Sequence, residues 1–203
     1  MMVSTSECTR MILLSIGLLS FLGVHSARFL FDGVRSRIIA ERGENAWKGL
    51  YSIVSLIGLV LIVVGYGQAR LSPTPLWIPP AALTPINWLL MLIAFALLVA
   101  AYGPNNPLRA AVGHPMVLGV KVWALAHLLV NGMLADVLLF GSFVVWAVVD
   151  YAASRRRDRL GGVVRTAPDG ATGWVVPILG GLVLWALFVF WAHRALIGVS
   201  PMG

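Results

Sequence analysis

Apolar residues run through this chain in long blocks and do not alternate with polar ones. Six blocks approach the roughly 20 residues that an α-helix needs to cross a bilayer: residues 11–31, 50–67, 86–102, 116–131, 133–149 and 175–193. The pattern predicts an all-α fold, a polytopic membrane helical bundle with about six transmembrane helices, in a single domain over residues 1–203. The fourth and fifth blocks are short and separated only by Asn131-Gly132, which predicts a tight antiparallel hairpin. Residues 151–174, YAASRRRDRLGGVVRTAPDGATGW, are too few and too rich in Gly and Arg to bury a core, so they read as a loop. Between the first two blocks, DGVRSRIIAERGENAWKG sets Val34, Ile38 and Ile39 on one side among arginines, as an amphipathic helix on a membrane surface does.

Composition agrees with the blocks. Of 203 residues, 59% are hydrophobic and 11% charged, against about 25% charged in soluble domains. An ordinary soluble enzyme is thereby excluded. The net charge of +7, in so lipophilic a chain, points to orientation in a bilayer and not to nucleic acid. Arg28, Arg35, Arg37, Arg42, Lys48, Arg109, Arg155, Arg156, Arg157, Arg159 and Arg165 fall on one side of the predicted membrane, and only Arg10, Arg70 and Arg194 on the other. Eleven against three predicts that both termini lie outside the cytoplasm. The outer segment LSPTPLWIPPAALTP, with five prolines and a tryptophan, suits an interfacial strap that is not helical throughout. Cys8 is the sole cysteine, so neither an intrachain disulfide nor a cysteine metal cluster can form.

Val24 and Ser26 fit the small-residue spacing of a signal-peptidase site after a 14-residue apolar run. Cleavage there would require the five basic residues that follow to be translocated, and the two sides would lose their charge contrast. A retained first helix is the expectation.

The four histidines, His25, His114, His127 and His193, all lie in or at the ends of predicted spans. A lone histidine on an apolar face is often only a satisfied core residue. Several in one small set of helices raise another reading, because neutral imidazoles on facing helices can ligate a metal or haem iron. Depth does not choose between His114 and His127 as a partner for His25. Angle does more: thirteen residues at about 100° each set the two roughly 140° apart around a helix, so both cannot face His25. His114 precedes Pro115, as at a helix start. His127, in KVWALAHLLVNG, has only apolar neighbours and is the better ligand candidate. Haem propionates would need cations. Arg28, one turn beyond His25, and Lys121, inside the fourth span, are available, with His114 near the same helix. Equally, Lys121 pairs with Glu44 or Asp150, and Glu44 and Lys48 form a local helix pair. His193, beside Trp191 and Arg194, reads as an interfacial anchor.

The strings GVHSARFL, RGENAWKGLYSIVSLIGLVLIVVGYGQAR, GHPMVLGVKVWALAHLLVNG and HRALIGVSP resemble the NnrU family of bacterial multi-spanning membrane proteins, from about residue 11 to the end. The resemblance implies a bacterial inner-membrane location and a link to denitrification, through the formation of active nitrite and nitric oxide reductases. That family is similar in turn to the plastid 15-cis-zeta-carotene isomerase, which binds haem b and uses it in redox-dependent double-bond isomerisation. Carried over by motif, its haem histidines match His25 in GVHS and His127 in WALAH. The isomerase has a cysteine three residues before the second histidine where this chain has Ala124, so a thiolate ligand is unavailable there and isomerase-like activity is in doubt. Cys8 lies on the wrong side of the first span to replace it. The expectation is a haem b protein of the bilayer with His25 and His127 as axial ligands. Its partners would be an apolar isoprenoid-like substrate or denitrification proteins. Two rivals remain: a non-enzymatic assembly or transport helper without haem, using Arg28, Lys121 and Asp136 along a polar passage, and histidines that only hydrogen-bond between helices.

Overall fold

Hydrocarbon offers no hydrogen-bond partner to a backbone N–H or C=O, so apolar segments of this length are confined to helices or closed barrels. The computed structural model describes residues 5–167, 170 and 172–202, with side chains from residue 11 onward. Cys8 and Arg10 lie outside the described side chains. The helices are α1 (Thr5–His25), α2 (Ala27–Leu30), α3 (Asp32–Arg42), α4 (Glu44–Ala69), α5 (Thr84–Tyr102), α6 (Pro107–Val112), α7 (Pro115–Val130), α8 (Leu134–Leu160), α9 (Thr172–Leu187) and α10 (His193–Ile197). A 3-10 turn at Ala81–Leu83 leads into α5, and a π-helical segment, Phe188–Ala192, joins α9 to α10. Among the described residues there is no strand, only an isolated antiparallel bridge between Pro75 and Met133.

Four continuous helical stretches are long and apolar enough to cross a membrane: Glu44–Ala69, Ala81–Tyr102, Leu134–Leu160 and Thr172–Ile197. Met11–His25 and Pro115–Val130 are apolar but shorter, and fall on the first and fourth predicted blocks. Each of the six blocks therefore lies on helix, and two boundaries differ from expectation. The first block breaks into α1 and α2 around Ser26, whose hydroxyl donates to the Leu22 carbonyl (2.6 Å), and leaves helical geometry at Phe31 (φ −132°, ψ 34°). The stretch from residue 151, read as loop, is helical as far as Leu160. Alanine and arginine are good helix formers whatever their charge, and the helix stops only at Gly161-Gly162, where Gly162 takes φ +62°. The basic segment before α4 is helix α3; it packs on α4 with Ile38 and Ile39 half-buried and Val34 exposed.

Contacts divide the chain into two compact units, residues 1–79 with 131–146, and residues 80–130 with 147–203. In the first, α1 and α4 run antiparallel at backbone distance. A Cβ on Gly17 would stand 2.6 Å from Ile62 N, one on Gly58 2.8 Å from Phe21 N, and one on Gly65 2.5 Å from Leu14 N. Leu14 is accordingly without exposed surface. The start of α8 joins this pair through Tyr66 with Asp136 and Phe140, and Phe21 with Phe143. In the second unit α5 is central, packed on α7 through Gly119 at Ala94 and Leu97 and on α9 through Gly181 at Ala96. The outward side of α4, carrying Ile53, Leu56, Ile57, Val60 and Val63, is exposed, as a lipid-facing surface should be.

Glycines at close helix crossings admit no side chain. Gly58→Val is expected to lower the melting temperature of the detergent-solubilised protein by more than the 1–3 kcal/mol of ordinary overpacking, because the obstacle is backbone. Gly67→Ala, which meets nothing within 4 Å, should leave melting unchanged or raise it; equal melting of the two variants would refute the close-packing account.

Candidate functional site

His25 ends α1, half-buried in a sleeve of aromatic rings within the first unit. Phe21, one turn earlier, stacks on it at 4.1 Å between centroids; Tyr51 of α4 lies at 5.1 Å and Trp146 of α8 at 6.2 Å, edge-on. Its Nδ1 is 2.7 Å from the Phe21 carbonyl oxygen. A carbonyl can only accept, so Nδ1 carries the proton and the ring's lone pair sits on Nε2. The Trp146 Nε1–H is buried and, among the described residues, has no hydrogen-bond partner. Beside Tyr51 a surface recess of about 270 Å³ opens, lined by Arg35, Glu44, Trp47, Lys48, Tyr51 and Ser52. Arg28 stands exposed on α2, three residues past His25.

His127, in the last turn of α7, repeats this arrangement in the second unit. Its Nδ1 donates to the Trp123 carbonyl (3.0 Å), with the Trp123 ring 5.3 Å away, so its lone pair also sits on Nε2. Ala124, with no exposed surface, precedes it by three residues. Lys121 is half-buried within α7. Glu44, one of the partners expected for it, bonds Lys48 at 3.0 Å. His114 precedes α7, and its carbonyl accepts from Leu118 N–H in the first turn of that helix. About 20 Å of helix therefore separates His114 from His127. His193 donates from Nδ1 to the Val199 carbonyl (2.7 Å), folding the chain end back on α10.

His114 is engaged differently. Its Nε2 is 2.8 Å from Asp158 Oδ2, the oxygen that Arg165 Nη2 also reaches at 2.8 Å and Arg155 Nη1 at 3.9 Å. The Tyr151 hydroxyl donates to the Val112 carbonyl (2.8 Å), tying α8 to the end of α6. The apolar run of α8 ends at Val149, so Asp158 lies in the charged tail beyond it. Burial pushes the Asp158 carboxyl up, but hydrogen bonds from Arg165 and His114, and their charges, outweigh it and hold the group below the usual carboxylate range. Arg109 serves α5 in the same region, donating from Nε to the Ala100 carbonyl (3.0 Å) and from Nη2 to those of Ala101 and Gly103.

Asp136, only 5% exposed, has an equally local task. Its Oδ2 accepts from Met133 N–H at the start of α8 (3.0 Å), as the third residue of a capping box does, and its Oδ1 accepts from the Tyr66 hydroxyl (2.7 Å). A carboxylate used in this way closes a helix end and does not line a passage.

Of the residues singled out in the sequence, His25 and Arg28 belong to the first unit, and His114, Lys121 and His127 to the second. Among the described residues, no group of three or more His, Cys, Asp or Glu side chains could hold a metal ion. Tyr51, Trp146, Asp158 and Arg165 were not singled out. Asp158, the one acid inside RRRDR, carried a visible signal; the aromatic pair did not, since only tertiary packing brings α4 and α8 to His25.

A sequence model of one family, described as NnrU protein, matches residues 13–201. The chain belongs to the NnrU family. Searches among curated proteins and among solved structures found no match. The NnrU match spans His25, Arg28, His114, Lys121 and His127 and begins after Cys8.

In this NnrU protein the Asp158 cluster should depend on pH with a definite sign. A carboxyl whose folded value lies below its unfolded one adds stability that is complete above the unfolded value, about 3.9, and lost as pH falls through the folded value. Hydrogen-exchange protection of residues 161–167 is therefore expected to hold at pH 5 and to fall between pH 4 and lower values. Asp158→Asn should show weak protection at every pH, and a wild-type-like profile in that variant would contradict the assignment.

Proposed function

We propose that this NnrU-family protein crosses a bacterial inner membrane six times, both termini outside the cytoplasm, and carries one haem b on His25 and His127 in support of denitrification. The observation that carries the reading is the shared bond of the two histidines. Each intramembrane ring donates Nδ1–H to the carbonyl one turn earlier, which sets its tautomer and aims Nε2 outward from its own helix. Metal-ligating histidines have this arrangement as a rule, because the carbonyl fixes the ring and raises the basicity of the ligating nitrogen. His114 lacks it, since Nε2 is committed to Asp158.

The residues around His25 suit a flat, amphipathic macrocycle. Phe21, Tyr51 and Trp146 offer ring faces and edges. The buried Trp146 Nε1–H is, among the described residues, a donor in want of an acceptor, and such an orphan is costly unless something satisfies it. Lys121, a half-buried cation, and Arg28 supply charge for carboxylates. A bound haem, held by His25 and His127, would supply one-electron redox chemistry. This chain's part is to hold the imidazoles, exclude water with the aromatic sleeve and neutralise the propionates. Ala124 contributes no thiolate, so an isomerase-like reaction would proceed without one.

The rival helper without haem draws on Arg28 and Lys121, because Asp136 is committed to its helix cap. Optical spectra of the detergent-purified protein, oxidised and reduced, separate the two readings. A Soret band is expected that is lost in His25→Ala and in His127→Ala and kept in His114→Ala and His193→Ala. Absence of the band after haem supplementation, or its persistence in both ligand variants, would overturn the haem reading, and a helper would then show failed reductase maturation in Lys121→Ala.

A further inference from the structure

The charged tail of α8 holds more positive charge than it neutralises. Among the described residues, Asp158 is the carboxylate bonded to His114, Arg155 and Arg165. Arg157 is turned aside to the Ser154 hydroxyl (2.7 Å), while Arg156 and Arg159 are exposed. Arg155 and Arg165 come from a helix and from the segment after it, yet both reach one point. A Cβ on Gly113 would stand 2.6 Å from Arg155 Nη1 and 3.2 Å from Arg165 Nη1. Gly113, at φ +77°, has none, and the two guanidinium groups converge over its bare backbone.

Two like charges repel, and one shared carboxylate offsets only part of that repulsion. A site that gathers guanidinium forks in this manner is suited to an anion with several oxygens, because each fork can present paired N–H donors. Its surroundings narrow the choice. Leu160, Val163 and Val164, in the turn that leads to Arg165, are 79%, 51% and 85% exposed. Arg155 lies about 9 Å beyond Val149, where the apolar run ends, a rise that sets it at headgroup depth. Exposed apolar side chains next to clustered arginines at such a depth match a lipid surface better than an aqueous anion.

We propose that Arg155 and Arg165, positioned over Gly113 by Asp158, bind the phosphodiester headgroup of an anionic lipid such as phosphatidylglycerol. The site is independent of the haem reading. Asp158 acts as a positioning residue, and the two arginines make the contact.

Native mass spectrometry of the full-length protein in detergent, titrated with phosphatidylglycerol or phosphatidylcholine, tests this directly. Phosphatidylglycerol adducts are expected on the wild type and on Arg156→Gln/Arg159→Gln, with binding to Arg155→Gln/Arg165→Gln weakened about tenfold or more, the loss of a charge-assisted hydrogen bond or two. Equal loss in the two pairs would show diffuse attraction and overturn the site. Inorganic phosphate that displaces the lipid and raises melting as much as it does would overturn the lipid assignment in favour of a soluble anion. If the glutamine pair does not fold, Arg155→Lys/Arg165→Lys decides: weakened adducts support paired donors, and unchanged adducts refute them.

Discussion

The antiparallel crossing of α1 and α4 is the constraint from which the candidate site follows. Inside a bilayer lipid tails are as apolar as leucine, so helices associate through contact and not through escape from water. Gly17, Gly58 and Gly65 let the two backbones touch. Because the crossing has one register, Tyr51 must arrive at the level of His25, and α8 then adds Trp146 to the same ring. A larger residue at any of the three glycines would separate the helices and dissolve the sleeve.

A second requirement acts at the helix ends, where backbone groups lose their partners near the membrane surface. The chain meets it with side chains. Arg109 takes the last carbonyls of α5, Asn106 accepts from Arg109 N–H to cap α6, and Asp136 accepts at the start of α8. The proline-rich strap does the same with backbone: Leu76 and Trp77 N–H both donate to the Gly132 carbonyl, and Leu134 N–H to that of Thr74. Several polar residues inside an apolar sequence are thereby accounted for by closure of helices, with no appeal to transport.

Hydropathy made the helical stretches legible, and the NnrU resemblance read from strings such as GVHSARFL and GHPMVLGVKVWALAHLLVNG agrees with the family match. Apolar runs report what lipid tolerates, so they located helix interiors well and helix ends poorly. The charged tail of α8 is helical because its residues favour helix locally, a preference that hydropathy does not register. The reading of His127 over His114 rested on apolar neighbours. The same logic explains why His114 is bound to Asp158: a histidine among polar residues finds a polar partner. Tyr51 and Trp146 were hidden because their meeting with His25 depends on the register of α1 against α4 and on the start of α8, and neither is written in any local pattern.

The π-helical segment Phe188–Ala192 has an effect on everything downstream of it. One residue more than an α-turn holds is accommodated there, which sets back the azimuth of later side chains by about 100° relative to an unbroken helix of the same sequence. His193, Arg194 and the C-terminal hook that His193 secures through Val199 thus occupy a sector that an uninterrupted α9 would have given to different residues. Removing a single residue between 188 and 192 would let the segment close as plain α-helix and leave His193 and Arg194 on their present bearing, whereas removing one earlier in α9 would swing them to another.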